Sequence, residues 1–223
     1  MITLGVRGVG RWGPNILRNF AAMAGVKIKA VCDLDKKRLM HIEKRFQDIQ
    51  LFTDPQNILK DKAVDCIVIA TSLSSHYPLA KMALESGHHV FEEKPLATTS
   101  QECEELINIA DRKNKTLFIG HTFKYNAGIR AVKEYIDSDE LGTLYLIDSN
   151  RTNLGPVRYD TNALWDLASH DISIFSYWLD EIPKTVSAIG TCFLNEAIED
   201  VVYVTLGYKA VSYTHLTLPT KTE

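Results

Sequence analysis

The chain has 223 residues, 45% of them hydrophobic and 24% charged, with a formal net charge of −3 and a pI near 6.2. That is the composition of a soluble globular chain of one large domain or two small ones. Its weak acidity leaves no electrostatic footprint for nucleic acid, and no apolar run approaches the roughly 18 residues of a membrane span.

The start, MITLGVRGVG, lacks the basic residues and apolar core of a signal peptide. Cys32, Cys66, Cys103 and Cys192 form no C-x-x-C, and none has a histidine at metal-ligand spacing. They read as reduced thiols in a cytoplasmic protein with no metal site.

Through the first 120 residues, short apolar runs alternate with helical patterns. Thr3–Val6 predicts a first strand, and Pro14–Met23 a helix with proline in its first turn. Val26–Cys32 predicts a second strand, followed by Asp35–Phe46 with Leu39, Ile42 and Phe46 at helical spacing. Val64–Ala70 is the next strand, and Tyr77–Glu85 a helix stopped by Gly87. His88 and His89 read as loop residues. Val90–Phe91 and Thr116–Ile119 are further strands; Thr99–Asn114 between them opens with the capping box Thr99-x-x-Glu102. Strands so continuously apolar are buried on both faces, which implies a parallel sheet covered by helices. The alternation predicts a doubly wound α/β domain over residues 1–121.

The pattern changes from residue 122. A helix over Asn126–Asp137, a turn at Leu141-Gly142 and a strand over Thr143–Asn150 precede a second helix over Ala163–Leu179. Thr185–Leu194 and Val201–Tyr208 then read as an antiparallel pair with a short connection. This predicts an α+β domain over residues 122–210. The last stretch, VSYTHLTLPTKTE, breaks the strand pattern, and Val211–Thr220 resembles one reading frame of a transposase adapter used in shotgun sequencing. Residues 211–223 are therefore expected to be an artefactual tail, and the second domain to be truncated; a natural polar tail is the alternative.

Gly8-Val9-Gly10-Arg11-Trp12-Gly13 is a G-x-G-x-x-G loop between the first strand and the first helix. Gly8 permits a tight turn, Gly10 lets backbone approach a pyrophosphate, and Gly13 allows close helix–strand packing. Arg11 and Trp12 complete the loop ahead of a helix N-terminus that attracts anions. A glycine-rich turn without a ligand is the alternative, but here the full strand–loop–helix context is present. Asp33 ends the second strand, where it can accept hydrogen bonds from an adenosine ribose, which favours NAD. Lys36, Lys37 and Arg38 close behind keep NADP open. Arg7, at the end of a buried strand, either snorkels along the sheet edge or is a local polymorphism, and carries no functional reading.

Ala70-Thr71, His76 and Glu93-Lys94-Pro95 accompany this loop. Together they resemble the glucose–fructose oxidoreductase, inositol dehydrogenase and MocA (Gfo/Idh/MocA) family, from residue 1 to about 209. GHTFKYN at 120–126 and NLGPVRYDTNALWDLASHDISI at 153–174 are most similar to its sugar and nucleotide-sugar dehydrogenase branches. The resemblance implies an N-terminal Rossmann domain and a second domain built on an open antiparallel sheet that joins homo-oligomers. It implies NAD as cofactor and a sugar, cyclitol or nucleotide sugar as substrate. It places Lys94 at the substrate hydroxyl near the nicotinamide, and makes Asp166 and His170 a D-x-x-x-H pair with His170 as acid/base. The Lys94–Pro95 bond is a candidate for the cis form. Ser72 stands where the family often has proline, and the family's sheet strands beyond residue 210 are missing.

Oxidation of a secondary alcohol removes a hydride from carbon and a proton from oxygen, and histidine suits the proton. Asp166 and His170 lie four apart on a predicted helix and so share a face. Ser173 and Tyr177 extend this polar stripe, as if it lined a cavity; a solvated surface histidine is the alternative. Lys94 would stabilise a developing alkoxide. Glu93 orients Lys94 or contacts the cofactor, while Glu92, on the opposite side of its strand, has no assigned role. Thr71 and Ser72 are cofactor-loop positions, and His76 either reaches the nicotinamide ribose or stands in solvent at a helix start. His121, Tyr125 and Asn126 follow a sheet strand, where ligands gather at strand C-termini. Arg151, Asn153 and Arg158 either bind a substrate carboxylate or phosphate or are surface charge. Two other functions stay open: a glycosidase that uses NAD for transient oxidation and elimination, and a non-catalytic NAD- or sugar-binding regulator.

Overall fold

The computed structural model describes residues 1–152, 161–194, 196–209, 211 and 213–219, the last stretch by its backbone. The chain divides into two compact units, Met1–Gly120 and His121–Glu223.

The first unit is built on six strands: β1 (Ile2–Arg7), β2 (Val26–Cys32), β3 (Gln50–Phe52), β4 (Cys66–Ile69), β5 (His89–Glu92) and β6 (Leu117–Ile119). All pair in parallel, in the order β3-β2-β1-β4-β5-β6. The connecting helices are α1 (Gly13–Ala21), α2 (Lys36–Glu43), α3 (Gln56–Leu59), α4 (His76–Glu85) and α5 (Ser100–Lys113). One sheet face packs Leu4, Val6 and Val68 against Leu17 and Leu39; the other packs Ile67 and Ile69 against Leu84, Leu106 and Ile109. Each such side chain contributes about 1.5–3 kcal/mol by burial, which is why the strands read as unbroken apolar runs. β3 and α3 are too short to show a period in sequence. The predicted capping box is present: Thr99 Oγ1 accepts from the Glu102 amide, and the Glu102 carboxylate accepts from the Thr99 amide, both at 3.2 Å.

The chain winds outward from β1 in both directions, so the strand order reverses between β1 and β4. In open α/β sheets a crevice at the strand C-termini opens at that switch point. The register aligns Arg7 with Ile69 and Ile69 with Glu92. The residues that follow, Gly8, Ala70 and Glu93, therefore emerge level with one another along the same edge. Arg7 does not snorkel. Its side chain is buried beside Cys32, burial lowers its pKa, and Nη1 has no hydrogen-bond partner.

The second unit contains α6 (Ala127–Asp137), β7 (Leu146–Asn150), a π-helical turn at Leu164–Ala168 running into α7 (Ser169–Leu179), then β8 (Thr185–Thr191), β9 (Val201–Gly207) and β10 (Tyr213–Pro219). The sheet order is β7-β10-β9-β8. β8 and β9 are antiparallel as expected. β10 differs from expectation: residues read as breaking the strand pattern pair antiparallel with β9 and parallel with β7. The alternation Thr214, Leu216, Leu218 against His215 and Thr217 has the two-residue period a strand needs. The sheet is consequently mixed, not wholly antiparallel; the long stretch with helices between β7 and β10 permits a parallel return. Val202, Val204 and Leu206 of β9 face inward with Phe175 of α7, while Tyr203 faces out. β8 is exposed along its length, with Val186 and Ile189 at 65% and 70%.

Candidate active site

The glycine loop is shaped by what a side chain would strike. Gly8 has φ +89°, and a Cβ there would lie 2.6 Å from the Ala70 carbonyl oxygen. A Cβ on Gly13 would overlap the Gly8 carbonyl oxygen. The turn therefore closes tightly against the end of β4 and the start of α1. Trp12, at the N-cap, supplies no side-chain acceptor, and Pro14 sits in the first helical turn. Pro14 has no N–H, and the Asn15 and Ile16 amides donate to the Trp12 carbonyl oxygen at 3.0 and 3.1 Å, so at this helix start it is the Gly13 amide that can meet an anion.

Asp33 is fixed against this loop. Its Oδ2 accepts from the Val9 amide at 2.8 Å, and its Oδ1 from the Asp35 amide at 2.9 Å. The guanidinium of Arg38 lies 3.6 Å from Oδ2 and reaches over Gly10, 3.3 Å from where a Cβ would stand. The carboxylate that would hold a ribose thus has a cation beside it. Cradle, helix end and acidic residue fit an adenine dinucleotide.

After β4, Ser75 Oγ donates to Thr71 Oγ1 at 2.8 Å within a short 3-10 turn, Leu73–Ser75. Ser72 takes φ −73° and ψ 149°, the extended conformation that proline would impose. His76 is buried, with Nδ1 2.7 Å from the Pro95 carbonyl oxygen and Nε2 3.2 Å from that of Thr71. Both ring nitrogens are committed to backbone, so the expected reach to a ribose, and the solvent-exposed alternative, are both replaced by a buried staple.

The turn after β5 carries Glu93, Lys94 and Pro95, with the Lys94–Pro95 bond in the cis form. Burial pushes the Glu93 carboxyl up, and the positive charge of Lys94 opposes this. Glu93 Oε1 lies 3.2 Å from the position of a Cβ on Gly120, so a small residue there makes room for the carboxyl. Glu92 is fully buried, and desolvation pushes its carboxyl up to about 9. It was assigned no role from sequence, yet the two-residue period from buried Val90 points it inward.

In the second unit, His121 leads into the 3-10 turn Thr122–Tyr125. Tyr125 is largely exposed, with the Arg130 guanidinium 5.3 Å from its ring centre. Asn126 is the N-cap of α6: its side-chain oxygen accepts from the amides of Gly128 and Ile129 at 2.9 and 3.3 Å. Its proposed ligand oxygen therefore already has a structural task. Asp166 falls in the π-helical turn and His170 in α7. The wider i→i+5 turn breaks the simple rule that places residues four apart on one face. Arg151 is tied to buried Asp171, Nε to Oδ2 at 2.6 Å and Nη2 to Oδ1 at 2.9 Å. Its guanidinium also lies 4.7 Å from the Phe123 ring centre, and that ring meets His170 edge-on at 4.8 Å. Phe123 and Asp171 escaped the sequence reading, since contacts between residues twenty or more apart leave no local period. Asn153 and Arg158 lie outside the described residues.

Two family models match. One, the oxidoreductase family with an NAD-binding Rossmann fold, covers residues 2–121; the other, the GFO/IDH/MocA C-terminal domain, covers 129–219. The chain belongs to the GFO/IDH/MocA oxidoreductase family. Among individual members, it is 31% identical over 187 residues to an inositol 2-dehydrogenase of Salmonella typhimurium, covering 82% of this chain and 56% of that protein. The chain thus spans little more than half the length of such curated relatives. Among solved structures, GenD2 from gentamicin A biosynthesis, in complex with NAD, superposes with a TM-score of 0.93 at 21% identity, over 100% of this chain and 66% of that one. The WlbA dehydrogenase from Bordetella pertussis, in complex with NADH and UDP-GlcNAcA, gives 0.91 at 22% identity, over 99% and 67%. At these identities the likeness establishes the fold. As a GFO/IDH/MocA protein the chain carries an NAD-binding Rossmann domain, and the loop, Asp33 and the β4 and β5 turns are where its first unit can hold NAD.

Proposed function

We propose that the whole protein is an NAD-dependent dehydrogenase acting on a secondary alcohol of a cyclitol, a sugar or a nucleotide sugar. One observation carries this reading: Gly8, Ala70 and Glu93-Lys94 leave adjacent strands at the same level of one sheet edge. A cationic residue thereby lies on the same sheet edge as the cofactor loop, one strand beyond the switch point. NAD, when bound, supplies the acceptor for a hydride.

The chain's own residues supply the rest. The loop amides and the start of α1 bind the pyrophosphate, and Asp33 accepts from the ribose. Lys94, steadied by Glu93, stabilises the alkoxide that develops as the alcohol loses its proton. His170 takes that proton, with Asp166 favouring the protonated ring. Arg151, held by Asp171, presents its remaining guanidinium edge to polar substrate groups. The outer face on which exposed Ile189 and Tyr203 pair across β8 and β9 supports assembly into a homo-oligomer through the second-unit sheet. Four free cysteines fit a reducing, cytoplasmic setting.

The test is a panel of cyclitols, sugars and nucleotide sugars offered with NAD to the full-length gene product, followed by NADH absorbance. Lys94→Ala is expected to lose turnover by about a hundredfold or more while NAD still binds. Turnover at the wild-type rate would remove Lys94 from the chemistry.

A further inference from the structure

A buried carboxyl at the end of β5, two residues before Lys94, has no hydrogen-bond donor to account for it. Glu92 is fully buried at the end of β5, and neither carboxyl oxygen meets a hydrogen-bond donor. Such a group costs folding free energy, and an aliphatic side chain would avoid that cost, as Val90 does two residues earlier. His76 Nδ1 stands 4.0 Å from Glu92 Oε1, within ion-pair range.

The same imidazole bridges the two turns that frame the cofactor edge. Its ring nitrogens face the carbonyl oxygens of Thr71, packed against Gly8, and of Pro95, which follows Lys94. An imidazole donates from both nitrogens only when doubly protonated, and Glu92 is the acid set against it. Desolvation works the other way, lowering His76 and raising Glu92, which favours moving the same proton from ring to carboxyl. The two carbonyls resist that transfer, because a neutral ring would turn a lone pair towards one of them. Two further ionisable groups face the couple: Lys94, whose charge disfavours a protonated His76, and Cys103 of α5, whose thiol burial and Glu92 both push up.

We propose that Glu92 and His76 form a buried ion pair that positions Lys94, with Glu92 keeping the ring doubly protonated so that it clamps the Thr71 and Pro95 carbonyls together. Glu92 is a positioning residue acting through His76, and this role rests on the assignment of Lys94 to the alcohol. The pair itself does not.

Imidazole nitrogen NMR on the 223-residue chain tests the pair. At neutral pH His76 should show two protonated nitrogens in the wild type and one in Glu92→Gln and Glu92→Leu. The amide resonances of Ser72 and Leu96, which follow the two carbonyls, should shift as well. His88 is the internal reference: its ring nitrogens lie 2.8 and 3.0 Å from the Val64 and Leu59 carbonyl oxygens, and its signals should not move. The same His76 protonation in all three proteins overturns the pair, with or without a known substrate. In the full-length enzyme, Glu92→Leu should raise the unfolding midpoint yet lower kcat by about tenfold or more, with the KM for NAD little changed. A Leu variant that is more stable and equally fast overturns the positioning role. Turnover retained in Lys94→Ala, with the NMR difference intact, overturns that role and the Lys94 assignment but leaves the pair standing.

Discussion

Arg151 grips the carboxylate of Asp171 through two parallel hydrogen bonds, at 2.6 and 2.9 Å, and Ser149 Oγ donates to the same carboxylate at 3.0 Å. Asp171 is 3% exposed, so these donors stand in for the water its carboxylate has lost. Asp171→Ala strands the guanidinium and should cost about 3–5 kcal/mol in urea unfolding. Replacing both partners, as Arg151→Met with Asp171→Leu, should cost far less, because no uncompensated charge is left behind. Equal losses in the single and double variants would show that the pair is not a buried ion pair in solution.

If Asp33 holds the ribose as proposed, Asp33 and Arg38 together should set cofactor choice. Asp33→Ser removes the ribose acceptor and the repulsion of a 2′-phosphate, while Arg38 remains to receive one. The ratio of NADP to NAD affinity should rise by about tenfold or more, the scale of one hydrogen bond to a charged group. Calorimetric titration with each dinucleotide measures it, and Arg38→Ala in the Asp33→Ser background should reverse the NADP gain.

Gly13→Ala places a methyl group against the Gly8 carbonyl oxygen. The loop must open to admit it, so NAD affinity should fall by at least about tenfold while the far-UV circular dichroism stays unchanged. Undiminished NAD binding would mean that the loop relaxes at no cost.

His170→Asn keeps a polar side chain beside Phe123 but removes the proposed base. A drop in kcat of about 10²–10⁴ is expected, together with loss of the acid limb of the pH–rate profile. A profile that keeps its acid limb would assign that limb to another group.

The Glu92–His76 couple has a pH signature of its own. Ordinary values are 4.5 for the carboxyl and 6.5 for the ring. Between them the unfolded chain holds one proton on the two groups, as the folded pair does, so the couple adds no slope. Above 6.5 the unfolded chain holds none, while the folded pair keeps its proton towards about 9, where burial has moved Glu92. The folded state then binds more protons, and stability falls as pH rises, by up to about 1.4 kcal/mol per pH unit. Glu92→Leu should remove that slope. Unfolding free energies measured from pH 6.5 to 9 decide the matter; parallel curves for the two proteins would contradict it.

The alternation of strand and helix through residue 120, the glycine loop, the Thr99 capping box and the antiparallel pairing of β8 with β9 were legible along the chain. Each is local: apolar period, turn chemistry and capping act over a few residues and can be read along the chain. The cluster around Glu93-Lys94-Pro95 was also visible as a motif, whereas the burial of Glu92 was not read from it. Tertiary structure alone decided what these side chains meet. His76 turned from a ribose contact into a buried staple because Pro95, nineteen residues on, brings a carbonyl to its ring. Arg151 became half of an ion pair because β7 and α7 pack together. Tyr213–Pro219, expected to lie outside the fold, became a strand because β7 and β9 leave a place for one between them. Burial, register and long-range pairing depend on partners far away in sequence, and no local window contains both sides of such a contact.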